Sequence, residues 1–517
     1  MLDTATLFVQ GNWTQLQQLQ LDLATNAPPE VIRFRPEAVS ILCQVNWLAL
    51  KTLDLSNNVL HFSCISMLVS KQWPLLSTLN LSNARIDAKA SLKLLTGHWP
   101  VLQDLDLSWN KLDAGFFQEM VKGFKLLQLE LLDLSHTSFS EASAAHLIHL
   151  QAQLKSLCLS YNNINAHLMS TLIQAGWKHI QSVDLSQSRQ DTKTIQKLTE
   201  AGWSQLDTLC LGGNAALHDA AAVQALSHGQ WPLLATLDLQ GIKLDAEAMS
   251  QLIKGGWPCL KTLCLSSCQL EALSCSVLQL GKWPLLDTLK LEHNPVGTEG
   301  MMYLAKAAWP NLSYLDLSDC GLDFGAMPYL VNGKWPLLCL RLQNNLMVTG
   351  SMAAFSTGHW PMLRELAISV KGNEQAALCA VICLSSGNWP LLQKLTLNLD
   401  SVSNNVLQHL LRNCQPLWDC LQFTDDPCLP NLDFAGHMRD GRRDTADFHI
   451  DCPDVRAKNF PHLRLLHLQV FYRSHDVSAT VRLTEVGHFP EACVTAMRVT
   501  AAGLALLKQA AGHMQAG

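Results

Sequence analysis

The chain has 517 residues, of which 48% are hydrophobic and 15% are charged, and its net charge at pH 7 is −6. This apolar share argues against an intrinsically disordered chain. The slightly acidic balance argues against a nucleic-acid-binding protein, which usually carries a basic excess. No stretch of about 18 uninterrupted apolar residues occurs in the sequence, so we expect no membrane partner or membrane span.

The opening segment, residues 1–9, shows neither a basic leader nor a long apolar core, so we expect no secretory signal. The 17 cysteines are an odd number and are scattered without paired spacing. We interpret them as reduced thiols, which are typical of cytoplasmic proteins and equally of nuclear ones. We therefore expect a cytoplasmic location, with the nucleus as the alternative.

Tryptophan recurs at a fixed spacing along most of the chain. Trp47, Trp73 and Trp99 are 26 residues apart, and the same spacing joins successive tryptophans from Trp231 to Trp335. Thirteen of the 15 tryptophans occupy this position, and proline follows in many copies. A fixed period of about 20–50 residues indicates stacked structural repeats, so we expect these thirteen tryptophans to be packing residues.

A leucine pattern begins three residues after the tryptophan position. The segment Leu50-x-x-Leu53-x-Leu55 alternates apolar and variable residues, which predicts a short strand with its leucines turned inward. Copies begin at Leu76, Leu102, Leu154, Leu206, Leu234, Leu260, Leu286 and Leu312. Three residues past the last leucine lies Asn58, Asn110, Asn162, Asn214, Asn294 or Asn345, or else Cys268 or Cys320. We expect these asparagine amides to bond to otherwise unpaired loop backbone.

A helix is expected after each strand. Aspartates that can cap a helix N-terminus are Asp87, Asp113, Asp245 and Asp323. Glycines at the other end, where a left-handed residue can close a helix, are Gly97, Gly229, Gly281, Gly333 and Gly358. One repeat is therefore predicted to run strand, turn, helix and loop.

Leucines at these spacings followed by Asn or Cys resemble the leucine-rich repeat. The resemblance covers residues 13–423 and implies an α/β fold, a horseshoe-shaped solenoid with a parallel sheet on the concave face and helices on the convex face. Parallel strands stack about 4.8 Å apart and packed helices need roughly 8–10 Å, which favours such an arc. The 26-residue length with a full helix is similar to the ribonuclease-inhibitor-like and GALA-like subclasses.

We expect three segments in the chain. A leucine-rich-repeat solenoid spans 1–423, a charged degenerate or inserted segment spans 424–459, and terminal degenerate repeats with a capping helix span 460–517. Leucines at 463, 466 and 468 restore the register of the repeat. The segment before Trp13 is too short for a nucleotide-binding, F-box or death-fold domain, so we expect either a stand-alone solenoid or a fragment of a longer chain.

The residue between the two final strand leucines is predicted to face the concave surface. It is repeatedly acidic: Asp54, Asp106, Asp133, Asp184, Asp238 and Asp316. Asp106 and Asp133 should lie on neighbouring strands, where two like charges about 5 Å apart in water repel by roughly 0.8 kcal/mol. One interpretation is an acidic groove for a basic protein surface. The other is that Leu-Asp-Leu-Ser is the repeat consensus and its Asp contributes solubility.

Trp109, Tyr161 and Tyr314 are predicted to project near the same face, where aromatic side chains are good interface anchors. Trp109 is the strongest candidate because it lies outside the repeating tryptophan position. The sequence contains no phosphate-binding glycine loop, nucleophile elbow or zinc-protease motif. We therefore expect no catalytic residue, no cofactor and no metal site.

The favoured function is a monomeric, non-enzymatic scaffold for protein–protein interaction that binds a partner of basic character on its concave face. Two alternatives stay open. One is a regulator of an enzyme, similar to ribonuclease inhibitor or to GTPase activators of this fold. The other is a substrate adaptor for ubiquitin ligation, as the GALA-like resemblance implies.

Overall fold

The coordinates are a computed structural model of the chain. The structure describes residues 16–21, 39, 43, 48–71, 73–123, 128–150, 153–347, 349–370, 374–387, 389–399, 465–472, 475–482 and 496–499.

Short strands alternate with helices along the described ranges. The strands are β1 (Gln18–Leu21), β2 (Thr52–Asp54), β3 (Thr78–Asn80), β4 (Asp104–Asp106), β5 (Leu131–Asp133), β6 (Ser156–Cys158), β7 (Ser182–Asp184), β8 (Thr208–Cys210), β9 (Thr236–Asp238), β10 (Thr262–Cys264), β11 (Thr288–Lys290), β12 (Tyr314–Asp316), β13 (Cys339–Leu342), β14 (Glu365–Val370), β15 (Lys394–Leu399), β16 (Leu465–Tyr472), β17 (His475–Arg482) and β18 (Ala496–Val499). The helices are α1 (Phe62–Val69), α2 (Ala88–Leu94), α3 (Ala114–Gly123), α4 (Glu141–Leu147), α5 (Ala166–Ile173), α6 (Thr192–Thr199), α7 (Ala220–Ser227), α8 (Ala246–Leu252), α9 (Ala272–Leu278), α10 (Gly297–Leu304), α11 (Met327–Val331), α12 (Thr349–Ser356) and α13 (Glu374–Ser386). Short 3₁₀ turns occur at Ala215–His218 and Phe324–Ala326.

The chain divides into two compact units. Unit 1 contains Met1–Leu237 and Phe489–Gly517, and unit 2 contains Asp238–His488. Within each unit, consecutive helices pack side by side on one face of the parallel strands. This arrangement is an α/β leucine-rich-repeat solenoid, as the sequence predicts.

The strands stack in the register that the leucine pattern predicts. In unit 1, Leu53 lies opposite Leu79 and Leu79 opposite Leu105, all in parallel pairs. In unit 2, Leu263 lies opposite Leu289 in the same way. These leucines are at most 3% exposed, so each repeat adds one buried layer between the strands and the helices.

The predicted helix caps are confirmed. Asp87 Oδ1 accepts the amide of Ala90 at 2.7 Å, Asp113 that of Phe116 at 2.9 Å, and Asp245 that of Ala248 at 2.9 Å. Asp323 caps the 3₁₀ turn that precedes α11. A side-chain oxygen at this position satisfies one backbone donor that the helix itself cannot.

The predicted role of the repeated asparagine is also confirmed. The Asn345 amide donates to the carbonyls of Leu342 at 3.0 Å and of Leu317, one repeat earlier, at 2.7 Å. Its oxygen accepts the backbone amides of Cys320 and Leu322, both at 3.0 Å. The asparagine thus ties two successive loops together. Cys320, at the same position one repeat earlier, replaces this network with an Sγ–carbonyl contact of 3.0 Å.

The repeated tryptophans are packing residues, as predicted. Those that are buried are Trp73, Trp99, Trp177, Trp203, Trp231, Trp257, Trp283, Trp309, Trp360 and Trp389. Trp335 is half-buried, whereas Trp13 and Trp47 lie outside the described residues.

The predicted left-handed role of the glycines near the helix ends is wrong. Gly97, Gly229, Gly281, Gly333 and Gly358 are not among the residues with positive φ. Each lies two residues before a tryptophan, and a Cβ added to Gly281 would come within 2.3 Å of the Trp283 ring. Glycine is required here because the indole packs directly against its Cα.

The last described strands depart from the repeat. β16 continues the parallel stack, with Leu466 opposite Leu395. β17 then returns antiparallel to β16 where the preceding repeats have a helix. In unit 1, β18 pairs in parallel with β1, with Met497 opposite Leu19. Residues 424–459 and the predicted capping helix near 501–511 lie outside the described residues, so the three-segment division stays a prediction.

Candidate functional site

The candidate site is the outward side of the strands, here called the strand face, which is opposite the leucines. In unit 1 its last strand position carries four carboxylates, which we call the acidic column: Asp54, Asp106, Asp133 and Asp184. Asp106 and Asp133 are register partners on β4 and β5. The structure therefore brings these two predicted site residues together, as expected.

Each carboxylate of the acidic column has a local structural role. Asp54 Oδ1 accepts the amide of Ser56 at 2.9 Å, Asp106 that of Ser108 at 2.9 Å, and Asp133 that of Ser135 at 2.8 Å. Such a side-chain-to-backbone turn shapes the chain as it leaves the strand. Asn80, in the same position on β3, makes the same bond to Ser82 at 2.9 Å. The turn therefore forms without a negative charge at this position.

Among the described residues, no cation neutralises the acidic column. Over the described ranges, none of its four carboxylates lies in an ion pair with a lysine, arginine or histidine. Burial raises the pKa of Asp106 above its ordinary 3.8, the hydrogen bonds from Ser108 lower it, and Asp133 and Asp54 raise it. The Asp106 carboxylate is thus desolvated and repelled by its neighbours in the free protein.

Three aromatic rings lie in the loops that follow β4, β5 and β6, each three residues after the last strand position. We call Trp109, His136 and Tyr161 the aromatic ledge. The Trp109 and His136 rings stack with centroids 3.9 Å apart and planes 6° apart. Tyr161 lies 6.0 Å from Trp109 and 6.1 Å from His136. Trp109 is 51% exposed and Tyr161 52%, so the ledge presents apolar surface to solvent.

The ledge ends at an open cavity of about 630 Å³. His136 and Tyr161 form one wall, and Gln187, Arg189 and Gly213 lie beyond them. The Gln187 side chain occupies the space that a Cβ on Gly213 would need. The first three of these five consecutive repeats carry a ring at this position and the last two do not, and the cavity lies where the rings stop.

The strand face of unit 2 carries both charge signs in contact. Arg341 Nη1 lies 3.9 Å from Asp316 Oδ2, and the Asp316 side chain is only 8% exposed. The Arg341 guanidinium also lies over the Tyr314 ring, 5.5 Å from its centroid. Nearby, Lys394 pairs with Glu365 at 3.4 Å. Burial, and secondarily Asp316, raises the pKa of Tyr314, while Arg341 lowers it.

The predicted site residues thus fall into separate groups. Asp54, Asp106, Asp133 and Asp184 share the strand face of unit 1, with Trp109 and Tyr161 at its edge. Asp238, Tyr314 and Asp316 belong to unit 2, where Asp316 and Tyr314 contact Arg341. Sequence reasoning missed His136, although it occupies the Trp109 position of the next repeat, because the histidine was not compared with the aromatic residues on either side.

The Cys158 and Cys264 thiols on the strand face are protonated at neutral pH. Burial, helped by the carboxylates of Asp184 and Asp133, raises the pKa of Cys158 to about 12. Burial and Asp238 raise that of Cys264 to about 11. The thiolate is the reactive form of cysteine, so these side chains act as small packing groups. Within the described ranges, Cys158, Cys264 and Cys268 are free thiols.

The described residues hold neither a metal-binding cluster nor a membrane-spanning helix. They include no group of three or more His, Cys, Asp or Glu side chains placed to hold a metal ion. Within them, no helix combines the length and apolar composition that a bilayer crossing requires.

Comparisons with known proteins give fold likeness alone. No protein-family model matches the chain, and no curated protein matches it. Among solved structures, it is similar to a chain of the Rad7–Elc1 complex of yeast, with 21% identity over 67% of this chain and 80% of the other, at a TM-score of 0.43.

Two further solved structures are similar. The leucine-rich-repeat-containing protein LegL7 from Legionella pneumophila has 15% identity over 56% of this chain and 92% of that one, at a TM-score of 0.37. The internalin InlF from Listeria monocytogenes has 13% identity over 79% of this chain and 92% of that one, at a TM-score of 0.32. Likeness at this level carries no argument about function, and the fold rests on the repeat geometry described above.

Proposed function

We propose that the protein is a non-enzymatic scaffold that binds a partner protein of basic surface character on the strand face of unit 1. The observation that supports this proposal is the acidic column, whose carboxylates lie without an ion-pair partner among the described residues. A cationic surface would relieve the repulsion between Asp106 and Asp133, which are register partners.

The fold does not account for these charges. The turn after each strand is satisfied equally well by an amide oxygen, as Asn80 shows. Solubility alone does not require the charges to lie in register on neighbouring strands, where like charges repel. Charge complementarity mainly gives specificity and a faster association rate, so a basic partner provides a reason for retaining them.

The test removes the charge and keeps the turn. In the triple variant Asp106→Asn, Asp133→Asn and Asp184→Asn, each side chain retains the oxygen that accepts the following amide. The probe is a fluorescently labelled oligo-lysine peptide, and its dissociation constant is measured by anisotropy at low and high salt. We expect about tenfold weaker binding at low salt, since exposed charge pairs contribute about 0.2–1 kcal/mol each.

A matched control removes the same number of charges elsewhere in unit 1. Asp87→Asn, Asp113→Asn and Asp191→Asn change helix caps, where asparagine also works, as Asn165 shows by accepting the Leu168 amide at 2.8 Å. The control should bind the peptide nearly as well as the unmodified protein. Equal weakening in both triple variants would show that net charge alone drives binding, and the proposal would then be wrong.

We also propose that the repeats belong to the ribonuclease-inhibitor-like or GALA-like subclass. What supports this is the recurring 26-residue spacing of register partners, such as Thr78 and Asp104, together with helices of two turns or more such as α1 and α3. A measured structure with repeats of other helix content would contradict the assignment.

A further inference from the structure

The aromatic ledge fills a position where the fold has no need of large rings. Trp109, His136 and Tyr161 have positive φ values of 58°, 53° and 56°. This left-handed conformation suits glycine and asparagine and is uncommon for bulky residues. Asn57 and Asn83 occupy the position in the two preceding repeats and Gly213 in a later one, all with positive φ. Three consecutive rings are therefore unexplained by the backbone.

The rings are also not used for packing. Trp109 and Tyr161 are each about half exposed, unlike the repeated tryptophans. Asn83 holds the same position one repeat before Trp109, on the side away from His136. Its side-chain amide donates to Asn57 Oδ1 at 3.0 Å. Apolar surface held in solvent next to charged residues is a feature of interaction sites.

Unit 2 shows how this chain fills an aromatic site that lies beside a carboxylate. There Arg341 lies over the Tyr314 ring at 5.5 Å and beside Asp316 at 3.9 Å. In unit 1, Trp109 follows Asp106 by three residues and His136 follows Asp133 by three residues. Within the described ranges, no cation of the chain lies over the ledge rings in this way. The aromatic and the carboxylate are present, but the arginine is not.

We propose that the aromatic ledge and the adjoining acidic column bind an arginine side chain of the partner protein. The guanidinium stacks on the Trp109 face while its N–H groups donate to Asp106 or Asp133. The arginine is expected near Trp109 and His136, because Arg189 lines the cavity beyond Tyr161 and would repel it there. This inference rests on the proposed function and specifies the basic group that is recognised.

Arginine is favoured over lysine by its shape. The guanidinium is planar, is weakly hydrated, stacks on aromatic rings and presents several donors to a carboxylate at once. A lysine ammonium is a compact, strongly hydrated charge. Binding driven by charge alone treats the two residues alike, whereas the ledge discriminates between them.

The test compares labelled oligo-arginine and oligo-lysine peptides of equal length. The unmodified protein should bind the arginine peptide about three- to fivefold more tightly, because an exposed cation–π contact contributes about this much. In Trp109→Asn, the preference should fall to about unity, because arginine-peptide binding should weaken more than lysine-peptide binding does. Asparagine is natural at this position, as Asn83 shows, so the variant should fold with unchanged thermal stability.

A second variant separates the ledge from a general aromatic effect. Tyr161→Asn should reduce the preference for the arginine peptide less than Trp109→Asn does, because Tyr161 lies nearer the repelling Arg189. Equal affinity of the unmodified protein for both basic peptides, or a preference that survives Trp109→Asn, would overturn the arginine site while leaving the acidic column intact. Tighter binding of an oligo-glutamate peptide would overturn both proposals and indicate that Arg189 is the recognising group.

Discussion

The two units share the same buried leucine, asparagine and tryptophan positions, here called the frame. Their strand faces differ in whether charged side chains are paired. In unit 1, Asp106 lies opposite Asp133, and the acidic column contacts no cation among the described residues. In unit 2, Lys290 lies opposite Asp316 and Asp316 opposite Arg341. In unit 2, Asp316 pairs with Arg341 and Glu365 pairs with Lys394, whereas the acidic column of unit 1 has no such pair within the described ranges.

The difference shows that the buried residues and the face residues of a repeat are specified independently. The leucines, the asparagine and the tryptophan recur in both units because each has a packing or hydrogen-bonding task. The face residues vary because the strand accepts any side chain that solvent or a neighbour can satisfy. Fold therefore does not determine function here, and the contrast between the two faces is the informative feature.

The largest expected effect tests whether the frame is common to both units. Asn162→Ala in unit 1 and Asn345→Ala in unit 2 each leave several buried backbone groups unbonded, at about 1–3 kcal/mol for each such group. We expect each variant to lose about 3 kcal/mol or more of unfolding free energy, measured by urea denaturation. Cys320→Ala loses two weak thiol contacts, to the carbonyls of Leu291 and Ser318, so it serves as the control and should lose less stability. Unequal losses for the two asparagines would show that the frames differ.

The next effect concerns the contact between glycine and tryptophan. A Cβ on Gly255 would come within 2.5 Å of the Trp257 ring, whereas one on Gly256 meets nothing within 4 Å. Gly255→Ala should destabilise the protein by about 1–3 kcal/mol through overpacking. Gly256→Ala should leave stability unchanged or raise it slightly, because alanine restricts the unfolded chain. Gly97→Ala, where the distance to Trp99 is 2.7 Å, should repeat the loss in unit 1, as scanning calorimetry would show.

A smaller effect distinguishes the two faces directly. Arg341→Met preserves the apolar stem but leaves the largely buried Asp316 carboxylate without its ion-pair partner, at a cost of about 1–2 kcal/mol. Lys394→Met removes an exposed pair with Glu365 and should cost less than about 0.5 kcal/mol. Similar melting temperatures for the two variants would contradict the view that unit 2 neutralises a buried charge.

The smallest effect is a pH dependence in unit 1. Because the folded-state pKa of Asp106 is raised, the folded state holds its proton to higher pH than the unfolded state does. The stability contribution of Asp106 therefore falls as pH rises from the ordinary Asp value of 3.8 through the raised pKa. Asp106→Asn should therefore be more stable than the unmodified protein at pH 7. This gain in stability should vanish at pH values below the ordinary Asp pKa. Thermal unfolding of both proteins across the acid range tests it, and a difference in stability that does not change with pH would show that the pKa of Asp106 is not raised.

The frame could be predicted from the sequence because each of its residues recurs with one task. The period placed Leu53, Leu79 and Leu105 in register, and the turn chemistry placed the Asp caps. The prediction for glycines such as Gly281 was wrong because a glycine after a helix was interpreted as a left-handed residue. The sequence pattern of a helix end does not show that the Trp283 ring packs against this glycine. The antiparallel return of β17 was missed because its segment has no repeat signature.

The candidate site could be predicted only in part. Periodicity placed Asp106 beside Asp133 and placed Trp109 at the edge, since neighbours along the solenoid follow from the repeat. The pairing of Arg341 with Asp316 depends on side-chain reach, which register alone does not give. The stacking of His136 on Trp109 depends likewise on ring orientation, which only coordinates provide.

Asn80 supplies the consequence that reaches furthest. At the last strand position, an amide in place of a carboxylate leaves the turn unchanged. One substitution there therefore changes the local electrostatic potential without a cost in folding. Evolution can thus change the binding preference one repeat at a time. Related chains can then differ in what they bind while their buried residues stay nearly the same.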